Sequence, residues 1–388
     1  MSYLVLDLET TNKNKGEDAI GDFSASPFHP ENKIVIAGTK TNHIPGYIFS
    51  CDYGSEFAGL LKSMQTEKLI IGHNIKFDFH YMMGQVPGFH EAMPEMHIWD
   101  TQLAEYLLTG QQAKWATLDS LSEKYGGTLK DNRIKDYWES GVDTEDIPRD
   151  LLEEYCLADV ANTEIVFLEQ MKLATELGML SLIRTQMDAL LATIEMEYNG
   201  LAFDKATAFD LSKDLREELK TTTEYLKLQI DSVLGHVIPN PDSKDQLSLV
   251  LFGGEYKHVT QAEQYDDKGN TVVYKTGARK GEPKLTKQDI WVHVNGMFPP
   301  QEKWKTKKEG VYSTADDVLQ ELLPHSLKII QEIMKYRKLS KDVGTYYEGY
   351  GKLVWPDGFI HGKLNMCQTN TGRLSSSSPN LQNLSGDD

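Results

Sequence analysis

The N-terminal run Tyr3-Leu4-Val5-Leu6 leads straight into Asp7-Leu8-Glu9, and no other feature limits the chain's possible folds as strongly. In a strand, side chains i and i+2 emerge on the same face, so Asp7 and Glu9 would stand side by side. Two carboxylates on a core strand repel each other and lose hydration. The pair becomes favourable when a divalent cation lies between them, and oxygen donors suit magnesium or manganese. A lone Asp-x-Glu after a strand is also a common structural feature, so the pair has to be weighed with the rest of the chain.

Lys33-Ile34-Val35-Ile36-Ala37 and Leu69-Ile70-Ile71 are further short β-type runs, and both are predicted strands. A loop rich in Gly, Asn, Ser and Pro separates the first two runs, from Asn12 to Asn32. Helical patterns follow around Asp100–Leu108, Leu118–Tyr125 and Asp150–Leu173. The last has Pro148 upstream, Asp150 as N-cap and Glu153 three residues on. Strands followed by helices imply an α/β domain over residues 1–175. Asp100, in Trp99-Asp100-Thr101, reads as a helix cap.

Asp78 closes His73-Asn74-Ile75-Lys76-Phe77-Asp78, and Asp159 falls in the third helical pattern. Tyr155 precedes Asp159 by four residues, so the two share one helix face. Taken singly, Asp159 also reads as a solvated helix acid and Tyr155 as a core tyrosine. The joint pattern is far more specific. Asp7-Leu8-Glu9-Thr10, Asn74-Ile75-Lys76-Phe77-Asp78 and Tyr155-Cys156-Leu157-Ala158-Asp159 resemble, in order and spacing, the three motifs of the DEDD exonuclease superfamily in its Tyr-containing branch.

That resemblance covers about residues 1–175 and implies an RNase H-like fold, a mixed sheet flanked by helices. It implies that Asp7, Glu9, Asp78 and Asp159 hold two Mg²⁺ or Mn²⁺ ions about 4 Å apart, with Asp7 bridging them. Tyr155 would orient the attacking water, and 3′→5′ hydrolysis of DNA ends would release nucleoside 5′-monophosphates. Thr10, Asn74 and Phe77 are weaker candidates for contacts to the terminal nucleotides. Phe77 stands where many relatives carry Tyr.

The rest of the chain reads as mainly helical. Helices are expected over about 180–198 and 205–234, with Asn199-Gly200 breaking them. Another over Lys244–Leu251 follows the turn-like Pro239-Asn240-Pro241-Asp242-Ser243, and a further one runs from Ala315 to Leu339. Asp266-Asp267-Lys268-Gly269-Asn270 between β-type runs suggests a hairpin. The most basic stretch, Lys275 to Lys308, is equally a track for a phosphate backbone and a solvated loop. Residues 371–384 read as loop.

This second part resembles the family A DNA polymerases. The matching segments include Met196-Glu197-Tyr198-Asn199-Gly200, Asn240-Pro241-Asp242-Ser243-Lys244, Tyr336-Arg337-Lys338-Leu339-Ser340-Lys341 and Asp357-Gly358-Phe359-Ile360-His361. The strongest is Thr371-Gly372-Arg373-Leu374-Ser375-Ser376-Ser377-Ser378-Pro379-Asn380-Leu381-Gln382-Asn383-Leu384. The resemblance implies that residues 176–388 form a thumb and the entry to a palm, gripping a primer–template duplex. Arg373 is the best single candidate for a DNA contact, and Lys244 a softer one.

The palm and fingers acids of that family have no counterpart here, and Asp387-Asp388 has no strand around it to supply them. The expectation is an exonuclease on the N-terminal piece of a split, phage-like polymerase, with palm and fingers on a separate chain. A truncated polymerase fragment is the other reading. The functional alternative is a DNA-clamping or assembly subunit that cuts little by itself, and an RNA-directed nuclease is a third.

Charge and cysteine content fit these readings. The chain has 58 Asp+Glu against 40 Lys+Arg, with a balance of −14 in residues 1–175 and −4 in residues 176–388. An acidic domain can still act on nucleic acid when cations bridge carboxylates and phosphates. Cys51, Cys156 and Cys367 form neither a zinc pattern nor an even disulfide set, so a reducing cytoplasm is expected, the host's if the chain is phage-encoded. No signal peptide and no run of about 18 apolar residues is present, so no membrane span is expected.

Overall fold

The computed structural model describes residues 2–21, 23–51, 54–128, 132–277, 279–325 and 328–383. Leu384 of the polymerase-like segment and the Asp387-Asp388 pair lie outside the described residues. The chain divides into two compact units. One comprises Met1–Asp204 with Tyr350–Asp388, the other Lys205–Gly349. The expected second domain, 176–388, is thus shared between the two units.

A five-stranded mixed sheet organises the first unit. Its strands are β1 (Leu4–Thr10), β2 (Ile34–Thr41), β3 (Tyr47–Phe49), β4 (Ile70–Gly72) and β5 (Ile98–Asp100), in spatial order β3-β2-β1-β4-β5. β2 pairs antiparallel with both β1 and β3, while β4 runs parallel to β1 and β5. β1 is central and covered on both faces, which explains its nearly continuous apolar run. Leu4, Val5, Leu6 and Leu8 are buried, and Asp7 is the one half-buried residue among them. The three expected strands are present. β3 and β5 are too short and too interrupted to stand out by periodicity.

Four helices matter for the site. They are α1 (Ile75–Gln85), α2 (Thr101–Leu108), α3 (Arg149–Glu176) and α4 (Leu180–Asn199). α3 lies across β1 and β2 and buries Cys156, Asp159, Val160 and Phe167 beneath itself. It starts earlier than expected. Arg149 is its first residue and Pro148, with its fixed φ, holds the cap position without a side-chain bond. Asp150 therefore sits in the first turn rather than capping it, and Glu153 instead accepts from Arg149 Nε at 2.8 Å. α4 packs Ile183, Met187, Leu190 and Ile194 into the same core as the sheet, so this core continues past residue 175. The segment over 371–384 is not wholly loop, because Ser375–Ser377 pairs antiparallel with Lys363–Asn365.

The second unit is built on α5 (Lys205–Leu234) and α6 (Lys244–Phe252). Leu226, Ile230, Leu247, Val250, Leu319, Ile330 and Ile333 form its core. The hairpin is far larger than the turn at Asp266–Asn270 suggests. It is an eleven-residue ribbon of β6 (Gly253–Glu263) and β7 (Leu285–Asn295). The expected turn is real, with Gly269 N–H donating to Asp266 O at 2.9 Å, but it nests inside the loop between the two strands. Gly253, at φ +72°, joins α6 to the ribbon where a Cβ would lie 2.5 Å from Gly296 N, so no larger residue fits there. The single helix expected over Ala315–Leu339 is two, α7 (Asp316–Leu322) and α8 (Lys328–Lys341), with Pro324 in the 3₁₀ turn between them.

Among the described residues, no helix is long and apolar enough to cross a membrane.

Candidate active site

The strand, two helices and one cap converge at the middle of the sheet. β1 presents Asp7 and Glu9, paired across β2 with Gly38 and Ile36. The ladder shifts register between Glu9 and Thr10, which ends the regular pairing beside the two acids. Asp78 lies in the first turn of α1 and accepts from the backbone N–H of Leu8, between the two β1 acids, at 3.1 Å. Asp159 comes from the face of α3 that packs on β1.

The start of α1 is fixed by a residue from another element. Asn74 adopts a left-handed φ of 56° and provides no side-chain cap. Asp100 does that work from the end of β5, accepting from Ile75 N–H at 2.6 Å and from Leu103 N–H at 2.7 Å. One buried carboxylate thus caps both α1 and α2, in line with its expected structural role. Burial pushes its pKa up to about 6, against the pull of those N–H groups.

Glu9, Asp78 and Asp159 are 7%, 4% and 5% exposed, so three carboxylates are held almost out of water. Burial, and then the charge of Asp7, hold the Asp78 carboxyl well above the usual range, opposed by the N–H of Leu8. Cys156 records the same crowding. Its thiol is raised by burial first, then by the charges of Asp7, Glu9 and Asp159. The four acids singled out from the sequence are therefore brought together.

A carboxylate oxygen of Asp7, one of Glu9 and the Sγ of Cys156 all lie within 4.8 Å of one another. That spacing lets a single cation contact all three; the two carboxylates are donors for a hard divalent ion, and the sulfur is a soft one. Tyr155, four residues before Asp159, is half-buried, with its ring edge-on to Trp138 at 5.9 Å.

The softer candidates are placed as follows. Thr10 is buried and hydrogen-bonded to Tyr81. Asn74 and Phe77 line a cavity of about 640 Å³ together with Phe23 and Trp115. Phe77 meets Tyr81 and Phe23 edge-on at 5.1 and 5.8 Å. Arg373 is exposed in the first unit and Lys244 is exposed at the start of α6 in the second. Several cations of the basic stretch have local acidic partners, with Arg279 on Glu282, Lys303 on Glu321 and Lys308 on Asp245.

Two features were not foreseen. Cys156 falls inside the acid cluster, although cysteine spacing shows no metal pattern. A buried network also joins Lys76 Nζ to Glu197 at 2.8 Å and places His80 Nε2 3.6 Å from the same carboxylate. The signal available was a Lys and a His flanking Asp78, both on a helix otherwise apolar.

Residues 2–177 match the family model described as 3′-5′ exonuclease, and residues 288–388 match that of DNA polymerase family A. DNA polymerase I of Geobacillus stearothermophilus is 49% identical over 185 residues, which is 46% of this chain and 20% of the relative. DNA polymerase I of Streptococcus pneumoniae is 28% identical over 354 residues, 89% of this chain and 34% of that one. The chain spans between about a fifth and a third of the length of these relatives. A solved POL domain of Pol1 from M. smegmatis, in complex with DNA primer-template and dNTP, is similar with a TM-score of 0.62 and 19% identity. That likeness covers 99% of this chain and 52% of the other, and bears on the fold alone.

Proposed function

We propose that the chain belongs to the family A DNA polymerases, over the part that carries their 3′-5′ exonuclease domain, and that it is a metal-dependent 3′→5′ exodeoxyribonuclease of the proofreading type. The observation that carries this reading is the convergence of Asp7, Glu9, Asp78 and Asp159 within the exonuclease-matched residues.

In this reading the four carboxylates hold two Mg²⁺ or Mn²⁺ ions, which when bound supply charge stabilisation at the scissile phosphate and an activated water. The protein's own part is positional. The Leu8 N–H fixes the Asp78 carboxylate, and burial of Glu9, Asp78 and Asp159 keeps their oxygens from competing water. Tyr155 orients the attacking water through its phenol. Asn74, Phe77 and Thr10 receive the terminal nucleotides. Attack at the last phosphodiester breaks the bond to the 3′ oxygen and releases a nucleoside 5′-monophosphate.

Residues 176–388 then serve as a thumb-type DNA grip leading into the polymerase-like segment. Within these 388 residues that segment has no counterpart of the palm and fingers acids. Nucleotide incorporation therefore takes residues from a second chain or from further sequence, as in a split, phage-like polymerase. Cys51, Cys156 and Cys367, buried and in the thiol form, suit a reducing compartment such as cytoplasm.

The deciding experiment is Mg²⁺-dependent digestion of 5′-labelled single-stranded DNA. Wild type should shorten the strand from its 3′ end, and an Asp7→Ala/Glu9→Ala double variant should not. If the two behave alike, the exonuclease reading is wrong. RNA of the same sequence, run in parallel, tests whether DNA is the substrate.

A further inference from the structure

The hydrolytic reading makes no use of the sulfur inside the acid cluster. Cys156 is fully buried on the sheet-facing side of α3, with Sγ 3.7 Å from the carbonyl oxygen of Asp7 and 3.7 Å from its Oδ2. Gly38 makes the room for it. This residue pairs with Asp7 across β1 and β2, and a Cβ there would lie 2.6 Å from the sulfur. Val160, one turn along α3, closes the other side, with its Cγ2 3.0 Å from the same Cβ position. The thiol is thus seated by the backbone of two strands and the packing of a helix, and it faces a carboxylate.

The spacing suits a particular kind of ion. A tetrahedral centre with a sulfur bond of about 2.3 Å and oxygen bonds of about 2.0–2.2 Å separates its sulfur and oxygen donors by about 3.6 Å. The observed separation of Sγ and Asp7 Oδ2 is 3.7 Å, and Glu9 completes a set within 4.8 Å. Magnesium and manganese favour oxygen donors, whereas thiolate selects zinc and its softer neighbours. Three all-oxygen ligands would not make that distinction, and the sulfur does.

We propose that Asp7, Glu9 and Cys156 form a sulfur-containing metal site within the carboxylate cluster, which takes zinc in preference to magnesium and, when filled, keeps magnesium from Asp7 and Glu9. Its consequence, inhibition, rests on the exonuclease reading, while the site itself stands on the three donors. On binding, a metal–sulfur bond forms as the S–H bond breaks, the proton passes to buffer, and no electrons are exchanged.

Cobalt(II) alone is the probe, titrated into the full chain without DNA. Wild type should develop the near-ultraviolet absorption of a thiolate–cobalt bond, and zinc should abolish it by displacement. Cys156→Ser and Cys156→Ala should lack the band and bind cobalt at least about tenfold more weakly. The two variants differ in shape, so a folding defect in one leaves the other to report, and thermal melting identifies which is folded. Asp7→Asn should weaken the band. A wild-type titration without the band, or a band that survives loss of Cys156, overturns the proposal.

Mg²⁺-dependent digestion is measured separately. Cys156→Ala should still digest DNA while needing at least about tenfold more zinc for half-inhibition. Unchanged zinc sensitivity overturns the inhibitory role. A wild-type protein with the band and no nuclease activity rejects the exonuclease reading and leaves the metal site. One with nuclease activity and no band does the reverse.

Discussion

The backbone N–H of Leu8 donates to Oδ1 of Asp78 at 3.1 Å, tying the strand that carries Asp7 and Glu9 to the helix that carries the third acid. The bond sets the spacing of three carboxylates with one backbone group. It also partly offsets the burial of Asp78 and the like charge of Asp7, which together disfavour the ionised carboxylate. Asp78→Asn keeps an oxygen for Leu8 and removes the charge. Without divalent ions the variant should gain ~1 kcal/mol, or about 2–4 °C in Tm for a unit of this size. Its Mg²⁺-dependent nuclease activity should fall at least about a hundredfold. Calorimetry in chelator together with digestion of labelled DNA checks both halves. A lower Tm in the variant would show that the charge is not under strain.

Acid should act on the first unit through His80. Its Nε2 lies 3.2 Å from the carbonyl of Ile194, and burial, then the charge of Lys76, lower its pKa to about 3. The folded protein keeps the ring neutral, while the unfolded chain takes up a proton near its ordinary 6.5. This contribution to stability is complete above pH 6.5 and is lost as pH falls from there towards 3. The full shift corresponds to a loss on the order of 5 kcal/mol. Asp100 works the other way, with a raised pKa of about 6 that costs stability as pH rises from 3.8 to that value. A variant is needed to separate the two. His80→Gln retains a donor for Ile194 and cannot ionise. Urea melts of the two proteins should diverge as pH falls from 7 to 4, the variant resisting acid better. A constant difference across that range would mean that His80 does not titrate on unfolding.

Much of the site was legible because its acids interrupt strong local patterns. Asp7 and Glu9 break a buried strand, and Asp159 sits on the buried face of a long helix four residues from Tyr155. The spacing alone therefore places each on a known element and face. What the sequence did not reveal depends on contacts between distant elements. Cys156 carries no ligand spacing along the chain and meets Asp7 only because α3 crosses β1. Asp100 was legible as the cap of the helix that follows it, but its second bond, to Ile75, joins residues 25 apart. A hairpin was expected around Asp266–Asn270, but the length of the β6–β7 ribbon was not legible, because β7 is exposed on both faces over most of its length and β6 alternates only between half-buried and exposed, so hydrophobic alternation is weak. Helix ends failed at prolines. Pro148 moved the start of α3 and Pro324 split the last long helix, while the patterns inside α4 and α5 gave limits close to those observed.

Gly38 and Cys156 should be energetically coupled. A methyl at Gly38 would press on Sγ at 2.6 Å and on Val160 Cγ2 at 3.0 Å, in a core that cannot relax easily. Gly38→Ala should cost ~1–3 kcal/mol by overpacking. In a Cys156→Ala background the sulfur is gone and part of that cost should disappear, leaving a coupling of at least ~1 kcal/mol. Denaturant melts of the two single variants and the double variant measure this directly. Additive effects would place the strain at Val160 alone.

Arg373 lies in the turn between the paired segments Lys363–Asn365 and Ser375–Ser377, where Thr369 Oγ1 donates to its carbonyl at 2.8 Å. That bond holds the backbone of the turn while the side chain remains exposed. Such a cation suits a phosphate contact, which positions a duplex without reading its sequence. Arg373→Ala should weaken binding to a primer–template by a similar factor for unrelated sequences. Each lost phosphate contact should also lower the slope of log affinity against log salt by about 1. Lys244→Ala, at the start of α6 in the other unit, tests the second candidate in the same titration. If both residues touch phosphate, the double variant should lose about 2 from the slope. A slope unchanged from wild type would remove that residue from the duplex interface, whatever happens to the affinity.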